Sequence, residues 1–169
     1  MLRTLRRSAM SIQAGQKMPT GVFGVMTDAG PGAVSTEELF GGKKVVLVSV
    51  PGAFTPTCSM NHLPGFVDHA DELHGKGVDT IACMAVNDVF VMNAWGKDRG
   101  VGENVTMLAD GNGEYAKALD LEMDGTGFGM GIRGQRFAII VDDGVATHVA
   151  VEEPGKLDVS SAESILANL

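Results

Sequence analysis

Cys58 is placed in this chain where a thiol becomes reactive. It closes the stretch Pro51-Gly-Ala-Phe-Thr-Pro-Thr-Cys58, directly after the apolar run Val45-Val-Leu-Val-Ser-Val50 and directly before a helical pattern. That order predicts a strand-to-helix corner with the thiol in the first helical turn. The first amides of a helix lack internal partners, and the peptide dipoles sum to partial positive charge there. A thiolate at that point is stabilised, so its pKa falls below the free value of about 8.5. A thiol with a pKa near 6 would be roughly 90% ionised at neutral pH, against a few per cent for a free one. Thr55 lies three residues earlier, so its hydroxyl and the thiol can face one pocket across a turn that Pro56 restricts. His62 follows four residues later on the same helix face, which leaves a Cys58–His62 hydrolase dyad as one alternative. No acyl-transfer signature accompanies that pair.

The elements needed to hold such a corner are legible in the hydrophobic pattern. Ser35-Thr-Glu-Glu38 reads as a capping box for a short helix ended by Gly41-Gly42. Strand 45–50 follows. From Cys58 onward Leu63, Phe66, Val67, Ala70 and Leu73 recur at helical spacing until Gly75 and Gly77. Residues 80–86 read as a second buried strand, Asp88 as the cap of a helix through Trp95, and 105–109 as a third strand. Asn112 opens a helix through Leu119. Residues 137–141 and 145–151, joined by Asp142-Asp-Gly144, read as a hairpin. Ser160-x-x-Glu163 then caps a last helix. This order predicts an α/β protein with a thioredoxin-like fold, a mixed central sheet flanked by helices.

Composition bounds the partners. The 169 residues suit one domain, and the net charge of −8 disfavours nucleic acid and anionic membrane as partners. No apolar stretch approaches the ~18 residues of a membrane span. Two cysteines, Cys58 and Cys83, are too few for a disulfide scaffold and fit a reducing compartment. Residues 1–11 differ from the domain at 12–169: three of the chain's 13 basic residues lie there and none of its 21 acidic ones. A cytoplasmic location is expected, with a mitochondrial or other organellar address through residues 1–11 as the alternative. Gly129-x-Gly131-x-x-Gly134 follows a loop and opens a strand, so it is not a dinucleotide motif. Its glycines instead let backbone pass close to the Cys58 pocket. Cys58, His62, His69 and Cys83 match no zinc spacing, so no metal is expected.

The wording Pro51-x-x-x-Thr55-x-x-Cys58, continued by Ser59 and His62-Leu-Pro-Gly-Phe66, resembles the active-site motif of peroxiredoxins of the type II (peroxiredoxin-5-like) subfamily. Ala85-Val-Asn-Asp88, Trp95-Gly96 and Arg136-Phe-Ala-Ile-Ile-Val-Asp-Asp143 agree with it, and the resemblance extends from about residue 12 to the end. It implies a peroxidase that reduces hydrogen peroxide and organic hydroperoxides, with no bound cofactor. Cys58 would be the peroxidatic cysteine, Thr55 the hydroxyl that bonds the peroxide, Pro51 the shield against water and Arg136 the guanidinium beside the sulfur. Arg133 is the reserve for that last role. Cys83 is the candidate resolving cysteine by comparison with plant members. The resolving thiol of animal members near the C-terminus has no counterpart in Leu157-Asp-Val-Ser-Ser161. The resemblance therefore favours reduction by glutathione with glutaredoxin, or by thioredoxin. It also implies a homodimer, with the region of Phe54 and Trp95 at the contact; ordinary core packing is the alternative for Trp95. A redox sensor that oxidises without turnover is the alternative from another class.

Overall fold

The computed structural model describes residues 11–169, so the basic tail lies outside it except for Ser11. Among the described residues the strands are β1 (Val22–Thr27), β2 (Gly30–Ser35), β3 (Lys44–Ser49), β4 (Thr80–Ala85), β5 (Thr106–Ala109), β6 (Glu122–Asp124), β7 (Ile132–Gly134), β8 (Phe137–Asp142) and β9 (Val145–Val151). Seven form one sheet in the order β2-β1-β5-β4-β3-β8-β9, and β6 pairs with β7 apart from it. β3, β4 and β5 run parallel, while β8 and β9 join antiparallel on one side and β1 and β2 on the other. The helices are α1 (Thr36–Phe40), α2 (Leu63–Asp68), α3 (Ala70–Gly75), α4 (Val89–Asp98), α5 (Glu114–Ala118) and α6 (Ala162–Ala167).

Alternation along the central strands builds two cores. Val46, Val48 and Val50 pack with Leu63, Phe66, Trp95 and Ile165 on one face. Val45 and Leu47 pack with Phe23, Phe40 and Tyr115 on the other. The period of two in a strand makes this division automatic once the run is apolar on both sides. Helices therefore cover both faces, as the element order predicts.

The hairpin β1–β2 was not predicted. Its second strand carries Pro31 and Gly32 at the sheet edge and is largely exposed, so it shows neither the apolar run nor the alternation of a buried strand. The helix after Cys58 also differs from the single helix expected. Residues 56–57 are helical, Cys58–His62 form a π-helical turn, and His69 separates α2 from α3. Pro64 has no N–H to offer the preceding turn, and the Ser59 carbonyl accepts instead from Arg99 Nη1 at 3.1 Å. The last helix is capped by Ser161, which accepts from Ser164 N–H, rather than by Ser160. The expected start at Asn112 is corrected too. Gly113 precedes α5 with φ 70°, and Asp110 reaches the Tyr115 and Ala116 amides.

Trp95 is fully buried, so its core-packing alternative holds and its side chain is not part of an exposed contact. Its Nε1–H donates to Ser59 Oγ at 2.9 Å. Ser59→Ala leaves that buried N–H without its acceptor and should cost ~1–3 kcal/mol. The measurement is the urea midpoint at unchanged m-value; an unmoved midpoint would show that the indole does not depend on this bond.

Candidate active site

The corner is built by β3 leaving the sheet. Val50 N–H still donates to Met84 O at 3.2 Å, and Pro51, which has no N–H, ends the pairing. Gly52 eases a close approach: a Cβ there would lie 3.2 Å from Thr55 Cγ2 and 3.4 Å from Arg133 Nη1. Ala53 N–H donates to Asn87 Oδ1 at 3.0 Å, which ties the turn to the end of β4. Phe54 takes a left-handed backbone (φ 64°) and is exposed. The Thr55 hydroxyl donates to Gly52 O at 2.8 Å, and Thr55 O accepts from Ser59 N–H at 2.9 Å. Cys58, of which the structure describes the backbone, is the third residue of a helical stretch that begins at Pro56. It therefore stands in the first turn, at the positive end of the peptide dipoles.

Sheet register delivers the arginine. Ser49 pairs with Phe137 across β3 and β8, so Arg136 lies one residue beyond that pair, where β3 becomes the corner. Arg136 and His62 meet at 2.9 Å between Nη1 and Nδ1. Arg136, Pro51 and Thr57 line a cleft of about 330 Å³ together with Met123, Glu152 and Pro154. Arg133 goes elsewhere. Its Nε–H donates to Met130 O at 2.8 Å and its Nη1 to Val86 O at 3.0 Å, which fixes the loop between β6 and β7 against the end of β4.

Three side chains here form a group that sequence reasoning did not join. His62 is buried, with Nε2 3.0 Å from Ser160 O. Burial holds its pKa down to about 4; the charge of Arg136 adds to this, and the Ser160 hydrogen bond and Glu152 oppose it. Glu152 is buried at the end of β9. Burial pushes its carboxyl up, but hydrogen bonds from Ser160, Asp158 and Val159 prevail and hold it below the ordinary glutamate value. In the sequence His62 belongs to the motif and offers a hydrolase dyad or a metal ligand, none of which joins it to Arg136, and Ser160 reads only as a cap. No local pattern marks Glu152. Cys83 lies mid-strand in β4 with Val48 and Met107 as its neighbours in register, and it is 1% exposed. Among the described residues no three of His, Cys, Asp and Glu are grouped as for a metal ion.

A thioredoxin-like sheet with a cysteine at the start of the helix after a central strand defines a thiol-based redox protein. Comparison with known proteins identifies the family. Residues 13–166 match the Redoxin family. Peroxiredoxin-2E, chloroplastic, from Arabidopsis thaliana is 48% identical over 164 residues, covering 94% of this chain and 70% of the relative. Peroxiredoxin-2B from the same plant is 53% identical over 135 residues, covering 80% and 83%. The crystal structure of reduced Prx3 from Vibrio vulnificus in complex with hydrogen peroxide superposes with a TM-score of 0.89 at 52% identity, covering 93% of this chain and 98% of that one. The chain belongs to the peroxiredoxin family, the thiol-dependent peroxidases.

The buried imidazole makes stability pH-dependent. The folded chain takes up this proton only near pH 4, the unfolded chain near 6.5. The unfolded state therefore binds more protons between those values, and stability falls on acidification across that window, by on the order of 3 kcal/mol. Urea unfolding at pH 7, 6 and 5 should show this decline, and His62→Asn should flatten it. An unchanged slope in the variant would locate the linkage elsewhere.

Proposed function

We propose that Cys58 is the peroxidatic nucleophile, with Pro51, Thr55 and Arg136 forming its pocket. What supports this reading is that Cys58 stands at a helix start, that the Thr55 turn leads into it, and that Arg136, one residue beyond the last β3–β8 pair, lines one cleft with Pro51 and Thr57. The Cys58 thiolate attacks the terminal oxygen of a hydroperoxide. The S–O bond forms as the O–O bond breaks, sulfur is oxidised to sulfenic acid, and the departing alkoxide or hydroxide takes a proton from solvent. Thr55 already donates its proton to Gly52 O, so its lone pairs are left to accept from the peroxide O–H. Arg136 offers a guanidinium to answer the negative charge that grows on the leaving oxygen. Pro51 adds an apolar wall to the cleft.

A thiol reductant then attacks the sulfenic acid, releases water and forms a mixed disulfide that a second thiol resolves. Cys83 is buried within β4, and a disulfide needs Cα atoms within about 7 Å and freedom to align. This favours an outside thiol, glutathione with glutaredoxin or thioredoxin, over Cys83. The hydrolase alternative is disfavoured by His62, whose two nitrogens are engaged by Arg136 and Ser160.

Cys58→Ser should abolish peroxide consumption, and Arg136→Ala should slow oxidation of Cys58 roughly 10²-fold or more. Mass spectrometry after one equivalent of peroxide should give the sulfenate, or a glutathione adduct when glutathione is present. A 58–83 bridge would make Cys83 the resolving thiol, and slow oxidation without turnover under any reductant would indicate a sensor.

Two further features belong to this reading. Phe54 at the corner, Phe90 in the first turn of α4 and Phe128 between β6 and β7 are exposed on segments tied together through Asn87, Arg133 and Met130, which supports a homodimer contact beside the site. Sedimentation of Phe128→Asp should then show more monomer than the parent chain; identical profiles would remove that surface from the contact. The basic residues 1–11 and the likeness to a chloroplastic relative favour an organellar address over the cytoplasm. Full-length protein and a chain starting at Met10 should localise differently, and identical distributions would refute the address.

A further inference from the structure

We propose that His62 is a positioning residue for the peroxidase reaction: it holds the Arg136 guanidinium through an uncharged acceptor, and Ser160 and Glu152 hold it in turn. The inference rests on the reading that Arg136 serves the Cys58 pocket.

The hydrogen bonds fix the direction of the relay. A guanidinium has only donors, so His62 Nδ1, 2.9 Å from Arg136 Nη1, must accept. The ring proton is then on Nε2, which donates to Ser160 O at 3.0 Å and has Ser160 Oγ at 3.3 Å. Ser160 donates both its N–H, at 2.9 Å, and its hydroxyl, at 2.6 Å, to Glu152 Oε2. Asp158 and Val159 amides complete the carboxylate's partners. Glu152 N–H donates back to Arg136 O at 3.0 Å. The circuit is therefore closed: Arg136 main chain, Glu152, Ser160, His62, Arg136 side chain. His62, Ser160 and Glu152 are all buried.

Chemistry explains the choice of a neutral partner. A carboxylate against the guanidinium would grip it more strongly, but its charge would oppose the thiolate and the departing oxygen. A neutral imidazole fixes the same donor and leaves the positive charge to act on the sulfur. Burial keeps the ring neutral, and its pKa of about 4 is consistent with that state. The groups facing the ring are Arg136, Ser160, Glu152 and the ring of Phe66, whose centroid is 5.7 Å away at an interplanar angle of 60°. The one carboxylate in the circuit is turned to the amides of residues 158–160.

The test is the second-order rate of Cys58 oxidation by hydrogen peroxide, measured by rapid quench and mass readout, with the thiol pKa taken from the pH dependence of its alkylation. His62→Leu should lower the rate ~10-fold and raise the thiol pKa by about one unit. His62→Asn, whose Oδ1 replaces Nδ1 as acceptor, should restore the rate to within about threefold of the parent. In an Arg136→Ala background His62→Leu should cost nothing further, because the two act as a unit. Additive losses, or a His62→Leu variant with unchanged rate and thiol pKa, would overturn the proposal. Should Arg136→Ala itself leave the rate unchanged, the pocket reading fails instead, so the two failures are distinct. Imidazole ¹⁵N resonances of the parent protein provide a readout independent of variant folding. A single neutral Nε2–H tautomer of His62 from pH 8 to 6 is expected; an Nδ1–H tautomer or an imidazolium at pH 7 would sink the relay.

Discussion

Register between strands is discrete, and a slip of one residue reverses every side chain along the strand. β3 and β8 are paired through six residues, from Lys44 with Asp142 to Ser49 with Phe137. That pairing sets where Arg136 stands relative to the corner at Pro51 and Gly52. Slippage would set Ser49 and Phe137 on the wrong faces and carry the guanidinium away from the π-turn. The alternation of the two cores enforces the register, because Val46 and Val48 must meet Ala138 and Ile140 on one face while Leu47 meets Ile139 on the other. Packing energy distributed over the whole sheet thus fixes the position of one charge.

The corner shows the same dependence at shorter range. Gly52 admits the close approach of Arg133 and Thr55, and Asn87 holds the Ala53 amide. Ser59 is held at its amide by Thr55, at its hydroxyl by Trp95 and at its carbonyl by Arg99. The residue beside Cys58 is therefore anchored from both its own turn and α4. A thiolate in a helix's first turn benefits from dipoles only while that turn is formed, so these anchors belong to the electrostatics as much as to the fold.

Much of this was legible in the chain. The apolar run at 45–50 and the turn residues at 142–144 each carry a local signal and became the element they announced, while the stretch before Cys58 announced the corner but not the π-turn and the broken helix after it. Those signals are properties of neighbours in sequence. The edge hairpin lacked one, because Pro31 and Gly32 in an exposed strand do not look like a strand. His62, Ser160 and Glu152 were not recognised as a unit because their relation exists only after β8, β9 and the final loop have packed. For Trp95 the sequence leaves a contact and core packing both open, and burial of a large indole beside a hydroxyl acceptor decides for the core.

The chain contains one tryptophan, and its indole N–H is bonded to the residue next to Cys58. Any event that unwinds that turn must break this bond and alter the surroundings of the ring. The emission of the protein is thus an optical gauge of the segment carrying the sulfur, present without labelling and with no second indole to obscure it.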